Sequence, residues 1–339
     1  MLFATIRGQD SAVATLRHAL ERARLAHAYL FIGPAGVGKK KTALVLAQAV
    51  LCQDKPQEGC GACSSCVSVL AGSHPDLSLL APEAGKQSVV IDQVRELQRL
   101  LSLKPVLGRK KVAVLDEAHL LTAQAQSALL KIVEEPPGDA LLILLTVNSA
   151  TLSRPLLSRC QQVRFAALPI PTVEELLVQE HDKDADAARA LALYSRGSVG
   201  RALSLDPEVF LVERQYVEEE LRKLPNASFT DLSRLAEWLV ADRVRKSSAG
   251  AEGKASRPTG DRLELVLSWY EEVLRCAVLG QESVMRYRDC LPAVMQAATT
   301  LGVSGALRQL SLVYDTIQAL GRNANKQLTV EDMLLQMAR

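Results

Sequence analysis

A glycine-rich stretch, GPAGVGKKKTA at 33–43, follows the phosphate-binding pattern G-x-x-x-x-G-K-[ST] from Gly33 to Lys39 and then leaves it. Backbone N–H groups around Gly33, Gly36 and Gly38, ahead of a helix, can point at phosphate oxygens, and Lys39 can reach the β- and γ-phosphates. The next position normally carries a hydroxyl that ligates Mg²⁺; here it is Lys40. Thr42 cannot stand in, because two helical steps place it about 200° around the axis from Lys40. Downstream, VAVLDEAH sets Asp116 at a strand end, where such a carboxylate holds Mg²⁺, with Glu117 beside it to polarise an attacking water. The two motifs disagree. An ammonium at position 40 repels the ion that Asp116 is placed to hold, so impaired hydrolysis is expected, with nucleotide binding left open.

Four of the seven cysteines form a second constellation, Cys52, Cys60, Cys63 and Cys66, spaced C-x7-C-x2-C-x2-C. Zn²⁺ takes four thiolates tetrahedrally, and a C-x2-C turn presents two together. Gly59, Gly61 and Ser64 supply turn residues. A closed four-thiolate site has no open position for substrate, so a structural Zn²⁺ is expected; free thiols and an iron–sulfur cluster are the alternatives. Cys160, Cys276 and Cys290 stand alone and read as core residues. His27 and His119 read as packing or surface residues.

These motifs need elements to hold them. Through residue ~165 short apolar runs alternate with helical stretches, the signature of a parallel α/β sheet. AYLFI (28–32), DLSLLAP (76–82), KKVAVLDEA (110–118), ALLILLTVN (140–148) and CQQVRF (160–165) read as strands. KTALVLAQAVL (41–51) reads as the helix after the glycine loop, and QSALLKIVEEPP (126–137) as a helix stopped by prolines. In 88–103 a helix is expected from about Asp92, with Val94, Leu97, Leu100 and Leu101 on one face. From Pro169 the pattern is helical, interrupted at 246–261 by a Ser/Gly/Lys-rich stretch that reads as a flexible loop.

The 339 residues allow two or three domains, and 48% hydrophobic content with 23% charge describes a folded chain. A net charge of +2 announces no global nucleic-acid field. No apolar run is read as reaching the ~20 residues of a membrane helix, and MLFATIRGQD lacks a signal-peptide pattern. A cytoplasmic setting without membrane attachment is expected, where clustered cysteines bind metal. DEAH also occurs in helicases, but the helical remainder offers no second RecA-like domain.

IRGQDSAVATLRHALERARLAHAYLFIGPAGVGK, the four-cysteine insertion, SALLKIVEEPP, LLSRC (156–160), GSVGRAL (197–203) and LGRNANKQLTVEDMLLQM (320–337) together resemble bacterial clamp-loader subunits of the AAA+ class. The resemblance implies an α/β AAA+ domain over 1–166 with a zinc module at 52–66, a helical lid over 167–207, and an all-helical collar over 208–339. It implies that Arg159 is an arginine finger reaching a neighbouring subunit's ATP site, although a surface arginine is its plain alternative. It places Thr146 and Asn148 at the sensor 1 position and Arg201 at sensor 2, where a helix-surface ion pair is the alternative. Two kinds of member compete. The gamma/tau motor has a complete G-K-[ST]; the delta-prime type is shorter and often has a damaged loop. Lys40 and the end at 339 favour delta-prime, whereas the intact Asp116-Glu117 pair favours the motor. The implied role is a non-hydrolysing subunit of the DNA polymerase III clamp loader, a hetero-oligomer with gamma/tau and delta that places a sliding clamp on primed DNA. A free-standing zinc-bearing nucleotide-binding module is the third reading.

Overall fold

The computed structural model describes the chain except residues 1, 84–85, 87, 109, 242–259, 284–285, 322–323 and 339. Most of the stretch expected to be a flexible loop, 246–259, lies outside the described residues. The chain divides into two units, residues 1–205 and 206–339.

The first unit alternates helices and strands: α1 (Asp10–Glu21), β1 (Ala28–Ile32), α2 (Lys39–Leu51), α3 (Ser64–Leu70), β2 (Leu77–Leu80), α4 (Ile91–Leu101), β3 (Lys111–Leu115), α5 (Ala123–Glu134), β4 (Ala140–Thr146), α6 (Arg154–Arg159) and β5 (Gln161–Arg164). Three helices follow, α7 (Ile170–His181), α8 (Ala185–Tyr194) and α9 (Val199–Ser204). The strands form one sheet in the order β2-β3-β4-β1-β5, every pair parallel. β3 and β4 are buried along their whole length, as their unbroken apolar runs require. Successive residues serve opposite faces: Tyr29, Phe31, Val112, Val114, Ile143 and Leu145 join α1 and α2 in one core. Leu30, Ala113, Leu115, Leu142 and Leu144 join α4, α5 and α6 in the other. In α4, Val94, Leu97 and Leu101 are buried as the periodicity predicts, while Leu100 is only half-buried.

Asp76 anchors the connection between α4 and β3. Its carboxylate, 1% exposed, accepts backbone N–H bonds from Val106 at 2.7 Å and from Leu107 and Gly108 at 2.8 Å. Lys111 lies 3.6 Å away. Burial pushes the carboxyl's pKa up, but the three N–H donors and Lys111 outweigh it and hold it below the usual range.

The second unit contains α10 (Pro207–Lys223), α11 (Phe229–Val240), α12 (Gly260–Leu279), α13 (Leu291–Gly321) and α14 (Lys326–Met337). Gly260 and Asp261, expected in the loop, open α12. The helices bury Leu263, Trp269 and Val273 together with Val294, Ala306, Val313, Val330 and Leu334. Arg262 stacks on the Trp238 ring at 4.1 Å and pairs with Glu213 at 3.0 Å. One segment, Arg288–Leu320, is long and apolar enough by length and composition to cross a membrane. It is broken at Gly302, where φ is 62°, and its buried residues pack against α12 and α14. Cys160 and Cys276 are buried as expected; Cys290 is only half-buried.

Asp76→Ala strips Lys111 of its buried partner and leaves three N–H groups without an acceptor, so it should destabilise the first unit by about 3–5 kcal/mol. Chemical denaturation followed by circular dichroism measures it. Because the folded-state pKa lies below the unfolded value of about 3.9, the contribution is present above that value and disappears as pH falls through the folded one. The unmodified chain should therefore lose stability on acidification more steeply than the variant.

Candidate functional site

β1 ends at Ile32, and the chain turns through Gly33–Gly38 into α2, with φ of +69° at Gly36 and +101° at Gly38. Only glycine adopts such angles without strain. No side chain caps the α2 N-terminus, whose first three residues are Lys39, Lys40 and Lys41. Lys39, 8% exposed, folds back so that Nζ donates to the carbonyl oxygens of Gly33 and Pro34, each at 2.6 Å. Burial lowers its pKa, opposed by the Asp116 and Glu117 carboxylates. Thr42 is fully buried and donates to the Gly38 carbonyl at 3.0 Å, turned away from the loop's mouth.

A cleft of about 320 Å³ lies over the loop, lined by Gly36, Lys39, Lys40, Asp116, Glu117 and Thr146 among others. The Asp116 Oδ1 accepts the Glu117 N–H at 3.0 Å. Its Oδ2 lies 3.3 Å from Lys40 Nζ. Glu117 sits in the left-handed region at φ 54°, a costly conformation for a side chain with Cβ, and pairs with His119 at 3.5 Å. Mg²⁺ does not fit this arrangement. It requires near-octahedral oxygen ligands at about 2.0–2.1 Å, while the expected hydroxyl is absent and the carboxylate already holds an ammonium.

A second cleft of about 320 Å³ adjoins the first through Gly36, Gly38 and Lys41, and is walled by Ile6, Val37, Leu168, Leu176 and Val199. The second cleft mixes these apolar walls with Arg7, Lys41, Glu180 and His181. Helices α7 and α9 contact the loop region directly. The Gly200 N–H donates to the Gly36 carbonyl at 3.1 Å, and Lys41 pairs with Glu180 of α7 at 2.8 Å. A Cβ on Gly200 would lie 2.9 Å from Gly36 Cα, and one on Gly36 would lie 2.3 Å from Ser198 Oγ.

The structure does not gather every residue that the resemblance singled out. Thr146 reaches the charged cleft, its hydroxyl donating to the Asn148 carbonyl at 2.8 Å. The Asn148 side chain instead caps the following turn, accepting the Ala150 N–H at 2.8 Å. Arg201, half-buried in α9, stands outside the lining of both clefts. Arg159 closes α6 outside the lining of both clefts, 43% exposed, with its guanidinium 2.9 Å from Glu134. His119, read as an ordinary residue, lines the charged cleft. The sequence offered one signal for it, its place two residues after Glu117.

The four cysteines converge, their sulfur atoms all within 4.8 Å of one another. Cys52 and Cys63 are 3.8 Å apart and Cys60 and Cys66 3.9 Å. A tetrahedral ion with Zn–S bonds of about 2.3 Å demands S···S separations of about 3.8 Å, so the set fits. Backbone N–H groups of Lys55 and Cys63 point at the Cys52 and Cys60 sulfurs, each at 3.3 Å, a donor set suited to thiolates. Burial pushes the Cys63 thiol up, but N–H donors from Cys66 and Gln53 and the neighbouring thiols bring it down to about 6. Burial dominates at Cys66, pushed up to about 12.

A family model described as "DNA polymerase III, delta subunit" matches residues 8–169. DNA polymerase III subunit delta' of Pseudomonas aeruginosa is 31% identical over 324 residues, covering 94% of this chain and 93% of that protein. Its namesake in Bacillus subtilis is 29% identical over 333 residues, covering 97% and 96%. DNA polymerase III subunit gamma/tau of Mycobacterium tuberculosis is 37% identical over 178 residues, which are 52% of this chain and 31% of that protein.

Gly200→Ala should push α9 off the loop and cost about 1–3 kcal/mol, the range for overpacking a filled interface. A thermal-denaturation scan reads this as a lowered midpoint. Ala substituted at Gly138, where a Cβ meets nothing within 4 Å but φ is +61°, serves as the control for backbone strain alone.

Proposed function

The chain belongs to the DNA polymerase III subunit delta' family, and from that premise we propose that this clamp-loader subunit holds its complex together without hydrolysing ATP itself. The observation that carries the second half is the Lys40–Asp116 ion pair at 3.3 Å. It sets an ammonium against the carboxylate that an ATPase reserves for its metal. The intact Asp116-Glu117 pair favours the gamma/tau motor reading, but polarising a water achieves little without charge stabilisation on the phosphates. The partners in this reading are gamma/tau and delta subunits, the sliding clamp, and primed DNA through the complex, all in the cytoplasm.

In the proposed role Arg159 acts in trans. The geometry supports this: its side chain lies at the exposed end of α6, outside the lining of the clefts over its own phosphate loop, and its pair with Glu134 is 43% and 46% exposed. Such an ion pair is worth at most about 1 kcal/mol, so a neighbour's phosphates can readily capture the guanidinium. Arg159→Ala should leave folding and assembly intact and slow DNA- and clamp-stimulated ATP hydrolysis by the reconstituted complex at least about tenfold, as arginine fingers contribute ~10³–10⁵ in rate. Arg159→Lys should rescue poorly, because an ammonium lacks the planar fork. Steady-state ATPase of a complex carrying only this change decides; a rate equal to the unmodified complex removes the finger.

The thiol cluster, in this reading, holds one structural Zn²⁺. Elemental analysis should give about one zinc per chain, and Cys63→Ser should lower that content and loosen the segment between Cys52 and Cys66. Unchanged zinc in the variant would sink the assignment.

A further inference from the structure

A cavity of about 590 Å³ opens in the second unit, among the C-terminal end of α10 and helices α12, α13 and α14. We infer that it is a ligand site for a small organic anion, one with an apolar body, an N–H or O–H donor and a single negative group. The inference is independent of the clamp-loader reading and of both sites in the first unit.

The cavity sits where α13 breaks. Ala293, Ala297 and Leu301 line it from the first half of that helix and Gln309 from the second, with Gly302 between them at φ 62°. Trp269 and Tyr270 of α12 and Met337 of α14, all buried in the fold, supply its apolar wall. Close-packed interiors hold few voids larger than a water molecule, so a space of this size invites an occupant. Its volume falls in the range of about 300–1,000 Å³ that holds a drug-sized molecule.

The polar groups of the cavity define what that occupant must carry. Gln309 is 8% exposed. Its Nε2 donates to the Met337 carbonyl at 3.2 Å, which fixes the amide's orientation, and its Oε1 accepts no hydrogen bond among the described residues. A buried amide oxygen is normally satisfied, so the ligand that completes it brings an N–H or O–H. Burial alone pushes the pKa of the Tyr270 phenol up, with no charge or hydrogen bond opposing it. That phenol stays neutral and can give a hydrogen bond as well as take one. The charged lining residues are Glu219, Arg222 and Lys223, at the end of α10. Lys223 is held by Glu220 at 2.8 Å, while the exposed Arg222 forms no ion pair among the described residues. Arg222 also lines a more polar cleft of about 510 Å³ that shares this rim. A guanidinium has only donors to offer, and its strongest partner is an anion placed at the mouth with its apolar body inside.

Fluorescence titration of the purified full chain tests this with two dyes. Anilinonaphthalene sulfonate has an apolar ring body, one N–H and one negative group; phenylnaphthylamine keeps the rings and the N–H and lacks the charge. The unmodified chain should bind the sulfonate dye saturably, at about one per chain. Arg222→Gln should weaken that dye about tenfold, the loss of one charge-assisted hydrogen bond, and leave the uncharged dye unchanged. Arg222 is exposed, so this variant folds. Gln309→Met should weaken both dyes about fivefold, the share of one neutral hydrogen bond. Ala297→Phe, which fills the cavity from a half-buried position, should abolish saturable binding of both, with circular dichroism confirming the fold. The inference is overturned if the unmodified chain shows no saturable binding, or if any of the three variants binds the sulfonate dye as the unmodified chain does. Dye affinity that falls as the chain concentration rises assigns the cavity to a second copy of this chain, and dye displaced by an added gamma/tau subunit assigns it to a subunit contact; either result overturns the inference as well.

Discussion

Everything chemical in the first unit follows from the parallel sheet, whose strands all end on one edge. The register aligns Ile32 of β1 with Thr146 of β4 and with Arg164 of β5, and Leu115 of β3 with Leu144 of β4. The residues that come next in the chain, Gly33, Asp116 and Val147, are thereby delivered to the same place. The Gly33 N–H even donates to the Thr146 carbonyl at 3.2 Å, continuing the ladder into the loop. Because β3 and β4 are covered on both faces, it is Leu145 and Thr146, at the very end of β4, whose side chains line the cleft. Function falls to the loops beyond them. A shift of one residue in β1 would exchange Tyr29 and Phe31 for Leu30 between the two cores, so the packing that stabilises the sheet also fixes the site's geometry.

Three successive lysines then do three different things, because each helical step turns about 100°. Lys39 points into the loop and is nearly buried. Lys40 points across to the strand-end carboxylate. Lys41 points to Glu180 of α7. One ammonium fills the loop, one neutralises the strand-end carboxylate and one fastens α7. The first turn of α2 has no acidic residue, so the positive end of the helix dipole adds to these charges rather than being neutralised. The cost is borne by Lys39, whose burial works against its charged form and which Asp116 and Glu117 support.

Much of this was legible in the residues. The strands announced themselves because a strand buried on both faces must be apolar throughout, as ALLILLT is. The phosphate loop and cysteine cluster were legible because their chemistry fixes both residue type and spacing. What the sequence hid were pairings between distant segments. Nothing local distinguishes a Lys40 that repels an ion from one that sits on Asp116. Gly36 and Gly200 each looked like a turn or helix residue, and only the folded chain shows that they are small because they touch. The partner of Arg159 was equally hidden, since Glu134 is one of two adjacent glutamates with the same local signature. The break at Gly302 escaped notice because a lone glycine in an apolar helical run does not reveal whether it takes positive φ.

The thiol cluster and the phosphate cleft share one helix. α2 has 13 residues, so its two ends are about 20 Å apart at the helical rise per residue, and neither site can touch the other's ligand. Their connection is mechanical. Cys52 is the C-terminal cap of α2, and the buried Gln48 donates to the Cys66 carbonyl at 2.8 Å, which ties the last turns of the helix to the cluster. The first turn carries the N–H donors and the lysines. A helix tied at one end to the cysteine cluster and packed along one face by Ala43, Leu46 and Ala47 has little freedom to rotate, and rotation is the motion that would misdirect three lysines at once.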